Sequence, residues 1–204
     1  MKHNSREHLQ EPGAGLPKLE KAALSVFFKF GTLAMSDRSA IKLFNNESDR
    51  LLQFADPGGE SYDVSDEVLI PRLIGIEDSS RNWSVLMVLE HLCMTNRDML
   101  IGVNSLVDGN TPEFAAKVQD YKPSRDVGFD VIERYQQICS DYVDSIDSLL
   151  RSRGNLRSSV RFAHPWFGPL DAHQWHCLVV HQRIHRRQAQ KIITMLRHAK
   201  QISI

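Results

Sequence analysis

The sequence predicts an all-α fold, a four-helix bundle with long connecting loops. Three observations lead there: long stretches with apolar residues at three-to-four spacing, clear breaks between them, and no convincing strand. At 204 residues the chain is most simply one domain with enough length to bury its own core. Residues 1–15 are polar and hold Pro12, Gly13 and Gly15, so they read as a loose tail ahead of a single domain over 16–204.

Leu19 to Met35 is the first helical segment, with Leu19, Ala23, Val26, Phe27, Phe30 and Leu33 or Ala34 on its apolar stripe. Ser36-Asp37 ends it or caps a second segment, in which Ile41, Phe44, Ser48, Leu51 and Leu52 hold the period to about Phe54. Asp56-Pro57-Gly58-Gly59 is a break, and the stretch onward to Asn82 has loop character. Ser84 is placed to cap Val85–Val107, which is apolar on nearly every side from Val85 to Met94, as a buried helix is. Asp108-Gly109-Asn110 closes it, and Thr111 to Arg125 forms a connection with room for one short helix. Asp126 to Arg151 is amphipathic, with Val131, Tyr135, Ile138, Tyr142, Ile146 and Leu149 on one stripe. After a loop with Gly154, Pro165, Gly168 and Pro169, Asp171 and Gln174 make a capping-box start to a last helix reaching about Lys200. Four principal helices result, the first of them in two segments.

Composition bounds the function classes. An apolar fraction of 42% and a charged fraction of 25% are those of a globular protein, and the formal net charge of zero argues against a polyanion binder. That zero conceals a segregation. From Arg151 onward there are ten Lys/Arg against one acid, Asp171, and the first 150 residues carry 15 bases and 24 acids. A basic final helix packed beside acidic ones accounts for this, as does a basic rim that draws anionic substrates. Nucleic-acid binding has no other support, since no recognition motif accompanies the basic quarter. Cys93, Cys139 and Cys177 are odd in number and widely spaced, which fits reduced thiols and a cytoplasmic protein. The longest apolar run, Ala22 to Met35, is broken by Lys29; it is too short for a bilayer and badly placed for a signal peptide.

The chemistry gathers at the last helix. Its stripe runs Trp175, Leu178, His181, His185, Gln188, Ile192 and Leu196. His181 and His185 leave one face about 6 Å apart or less, the spacing that lets one helix offer two ligands to one metal ion. Histidines also recur on solvated faces, but these two lie where a core contact is expected, and imidazoles buried there are costly unless satisfied. His91 stands alone within the most apolar helix, between Leu89 and Leu92. A lone core histidine is ordinarily structural; with the pair it makes three imidazoles on two helices, leaving a coordination position open for water or substrate.

Neighbouring residues sort around that trio. Gln182 follows His181, so this is not the HExxH of zinc proteases, and no Glu-x-x-His motif of di-iron bundles is present. Cys177 is a fourth ligand or simply a small buried residue, and His173 and His176 read as rim or capping residues. His164 orients a substrate or braces its turn. Glu90 points to another side of its helix, Gln188 is set to bond a ligand or a neighbouring helix, and Arg183, Arg186 or Arg187 would lend positive potential.

Trp83-Ser84 with His91-Leu92, then His164-Pro165-Trp166-Phe167-Gly168-Pro169-Leu170, Trp175, His181, His185 and Gln188, resembles the DinB-like (YfiT-like) superfamily. The match is with its uncharacterised branch bearing HP-x-FG-x-L before HxxxH, and it covers roughly residues 80–195. The resemblance implies a four-helix bundle binding a divalent metal, often zinc or nickel, through His91, His181 and His185, and commonly a homodimer. Characterised relatives include bacillithiol-dependent transferases and mycothiol-dependent isomerases; others are held to be hydrolases. The expectation is therefore a metal-dependent hydrolase or thiol-dependent S-transferase acting on a small molecule, with a low-molecular-weight thiol as partner in the transferase case. No membrane or nucleic-acid partner is expected. The alternative is a non-enzymatic stress-related or scaffold bundle, whose structural metal Cys177 or His173 would close off.

Overall fold

The computed structural model describes residues 15–56, 62–76, 82–114 and 118–202; the tail expected over residues 1–15 lies, apart from Gly15, outside the described residues. Six helices follow in order: α1 (Lys18–Ala34), α2 (Asp37–Ala55), α3 (Val85–Val107), α4 (Asp130–Arg153), α5 (Ala172–His176) and α6 (Val180–Ile202). A 3₁₀ turn at Val118–Tyr121 precedes α4, and another at Cys177–Val179 joins α5 to α6. The bundle is α2, α3, α4 and α6: α3 packs on α4 and α6, and α2 on α6 and α4.

Each bundle helix forms where local chemistry and apolar spacing agree. Ser36 caps α2 by accepting from Ser39 N, and Ala40, Ile41, Phe44, Ser48 and Leu51 are buried at three-to-four spacing. Ser84 accepts from Met87 N at 3.1 Å and starts α3, whose first five residues, Val85 to Leu89, are all buried. Helix α4 begins at Asp130, four residues later than Asp126, and ends at Gly154, whose φ of 81° is the left-handed turn that favours glycine. The Asp171–Gln174 capping box forms as expected, Gln174 N donating to Asp171 Oδ1 and Asp171 N to Gln174 Oε1.

Three features depart from the sequence reading. First, α1 is not a bundle helix. Its expected core stripe faces outward, with Leu19, Val26, Phe27, Phe30 and Leu33 exposed, while Phe28 and Thr32 are buried. Secondly, two strands are present, β1 (Phe162–His164) and β2 (Gly168–Leu170), paired antiparallel with His164 opposite Gly168. Three residues per strand are too few to show alternation, and Pro169 disguises the second. The stretch His164 to Gly168 is thus a hairpin end that presents Trp166 and Phe167. Thirdly, the last helix is not continuous, because the Cys177–Val179 turn interrupts it.

The turn separates two sets of histidines. His173 and His176, expected at a rim, are buried against α2. The His173 imidazolium donates from Nδ1 to Asp37 Oδ1 at 2.6 Å and from Nε2 to the Thr32 carbonyl at 2.9 Å. His176 donates from Nε2 to the Asp37 carbonyl and accepts at Nδ1 from the Tyr142 hydroxyl. One charged pair thereby pins the end of α1, the start of α2 and α5 together.

The Asp37 hydrogen bond foremost raises the His173 pKa to about 10. Burial alone would raise that of Asp37, but the bond and charge of His173 outweigh it and the net shift is downward from 3.8. The His173 contribution to stability is full below its ordinary value of 6.5 and is lost as the pH rises through about 10. The Asp37 contribution is lost as the pH falls below 3.8. Asp37→Asn is expected to cost about 3 kcal/mol at pH 7 by urea unfolding, and its deficit relative to wild type should shrink at pH 10.5. An equal deficit at both pH values would show that the pair is not the source.

Candidate metal centre

His91 leaves α3, and His181 and His185 leave the first two turns of α6; the three ligand atoms lie within 4.8 Å of one another. His181 Nε2 is 2.9 Å from His185 Nε2 and 3.5 Å from His91 Nε2. The structure thus brings together all three histidines singled out in the sequence. Burial, then the neighbouring imidazoles, holds the pKa values of His181 and His185 well below the ordinary value, so both rings are neutral.

The outward nitrogens fix which atoms face inward. His91 Nδ1 lies 2.6 Å from the Tyr121 carbonyl, which only accepts, so Nδ1 carries the proton and Nε2 presents its lone pair. His185 Nδ1 likewise donates to Gln188 Oε1 at 2.7 Å. Two inward-facing lone pairs beside a third imidazole repel unless something electron-poor sits between them. A tetrahedral divalent ion with metal–nitrogen bonds of about 2.0–2.1 Å sets its nitrogens about 3.4 Å apart, near the 2.9 and 3.5 Å of the two His181 pairs. Three imidazole nitrogens suit a divalent transition-metal ion, and outer partners on ligating histidines are what such sites use.

Beside the imidazoles lies a cavity of about 150 Å³. His91, Thr95, Asn96, Asp98 and Met99 of α3 line one wall; Trp175, Leu178, His181 and Ile184 line another. The hairpin end supplies His164, Pro165, Trp166 and Phe167, and Tyr121 and Val180 complete the lining. Phe167 stacks on Phe28 of α1 at 4.3 Å and on His164 at 4.8 Å, so α1 buttresses the hairpin that walls the cavity. His164 both braces its turn, accepting from Trp166 N at 3.2 Å, and faces the cavity; burial chiefly lowers its pKa to about 4.

The other residues singled out fall elsewhere. Cys177 and His173 belong to the Asp37 cluster, with Sγ 3.6 Å from His173 Nε2, and neither joins the three-histidine group. Arg186 pairs with Glu47, Arg183 and Arg187 are exposed, and none of the three lines the cavity, so the expected arginine contribution is not found there. Glu90 accepts from Ser124 N at 2.6 Å, away from the histidines, as its helical position indicated. Sequence reasoning missed Tyr121, whose contribution is a backbone carbonyl without residue-type signature. It also missed Asp98, which stands seven residues after His91 and so on the same face of α3.

No protein family matches the chain, and no curated protein does. Among solved structures, the crystal structure of TT2238, a four-helix bundle protein, is similar at 18% identity and a TM-score of 0.46, covering 76% of this chain and 98% of that one.

Gln188→Ala leaves His185 Nδ1 without its acceptor and should weaken zinc binding tenfold to a hundredfold, while His181→Ala should abolish stoichiometric binding. Competition against a fluorescent zinc chelator reads both. Unchanged affinity in both variants would remove the three-histidine site.

Proposed function

We propose that this protein is a metal-dependent enzyme of hydrolase or thiol-dependent S-transferase type, with a divalent ion, zinc or nickel, held by His91, His181 and His185. The observation that carries the reading is the convergence of three imidazoles at the edge of a cavity lined largely by aromatic and aliphatic side chains. An ion there supplies Lewis acidity that brings the pKa of a ligating water or thiol toward neutral. The protein's own contribution is to orient the ligands through the Tyr121 carbonyl and Gln188, and to enclose the substrate between α3, α6 and the hairpin end. A fourth protein donor would favour a structural site, but Cys177 and His173 are engaged around Asp37. The resemblance of the sequence motifs to the DinB-like superfamily points the same way.

The reading includes a cytoplasmic location, for which the three unpaired cysteines speak, and no membrane partner; among the described residues no helix is long and apolar enough to cross a membrane. The test is an assay of zinc- and nickel-loaded protein with a low-molecular-weight thiol plus an electrophile, beside ester and amide substrates. Activity should vanish on chelation, return with metal, and be absent from His181→Ala. Turnover that survives chelation would overturn the proposal.

A homodimer forms part of the same reading, through the outward face of α1. Phe27 and Phe30 are 75% and 69% exposed, and with Leu19, Val26 and Leu33 they make an apolar face that the described residues leave uncovered. Phe27→Glu with Phe30→Glu should convert a dimer to a monomer in light scattering. A monomeric wild-type protein would remove this part of the reading.

A further inference from the structure

Resting on the metal-centre reading, we infer that the substrate carries a protonated amine on an apolar, aromatic-sized body, and that Asp98 receives the amine. Asp98 is half-buried in the cavity wall and accepts from the Tyr121 hydroxyl at 2.7 Å. Among the described residues it forms no ion pair, and no Lys or Arg of them lines the cavity. A carboxylate in an apolar cavity without a counter-charge leaves that charge to be brought by the ligand.

The surroundings suit an alkylammonium group. Trp175 packs against α3 at Gly102, where an added Cβ would stand 3.3 Å from the ring, one helical turn beyond Asp98. Trp166 and Tyr121 add further aromatic side chains to the lining, and aromatic rings attract a cation. A cavity of about 150 Å³ is the size that holds one benzene ring. Asp98 does not gather with the three imidazoles and is not read as a ligand.

Calorimetric titration of the zinc-loaded protein with phenethylamine, 2-phenylethanol and 3-phenylpropionate tests this. Phenethylamine should bind about tenfold more tightly than either, the worth of one charge-assisted hydrogen bond to a half-buried carboxylate. Asp98→Asn should remove that preference, and Tyr121→Phe, which keeps the carboxylate, should retain it. Equal binding of amine and alcohol by the wild-type protein, no binding of any of the three, or a preference that survives in Asp98→Asn overturns the inference. The wild-type comparison stands even where a variant fails to fold. The same titration after zinc removal should keep the amine preference, since Asp98 is not a ligand. A protein that binds no zinc but prefers the amine would overturn the metal reading alone; one that binds zinc without the preference would overturn this inference alone.

Discussion

The arrangement rests on a chain of buried side-chain hydrogen bonds that crosses the bundle beside the histidines. The Tyr135 hydroxyl of α4 donates to Gln182 Oε1 of α6 at 2.8 Å, and Gln182 Nε2 donates to Asn96 Oδ1 of α3 at 3.0 Å. Burial above all raises the Tyr135 pKa well beyond its ordinary value, so the hydroxyl stays a donor. Apolar packing tolerates sliding of one helix along another; directional bonds between buried polar groups do not, because any slip leaves them unpaired. Gln182 follows His181 directly, and Asn96 lies five residues after His91. The chain therefore fixes the register of α3 against α6, and with it the approach of the imidazoles.

The polar groups of the interior are divided by charge state. Around Asp37 the core carries a full ion pair, with every polar atom of the His173 ring bonded. Around His91 the rings are tilted or edge-on to one another, burial holds those of His181 and His185 neutral, and outward nitrogens are bonded where acceptors exist. One arrangement joins elements permanently; the other presents lone pairs to a common point next to a cavity. Hydrophobic burial alone would not distinguish them, since both lie in the same core. The partners do.

Much of this was legible in the sequence where a local rule acts alone. The HxxxH spacing, the Ser84 cap, the Asp171–Gln174 box and the stripe of α2 each depend on residues within one or two turns, and each is found. What escaped depends on partners far away in the chain. The stripe of α1 has the period of a core face, yet periodicity cannot say whether a bundle has room for a fifth helix, and here α1 lies outside with that face exposed. His173 and His176 looked like capping residues because Asp37, which makes them interior, is over 130 positions away. The Tyr121 carbonyl and the three-residue strands leave almost no trace in residue type. In the three-histidine cluster, then, the histidines were readable and most of what orients them was not.

The short turn at Cys177–Val179 has a geometric consequence. An α-helix advances 100° per residue and a 3₁₀ turn about 120°, so three residues in the tighter form rotate everything beyond them by about 60°. Spaced three, five and four apart, His173 and His176 would stand about 130° around an unbroken helix from His181 and His185, and the extra 60° carries the two pairs to nearly opposite sides. The extra rotation turns the first pair toward α2 and the second toward α3. The pair that pins α1 to α2 and the pair that gathers with His91 thereby face away from each other, by a change of winding that alters no residue.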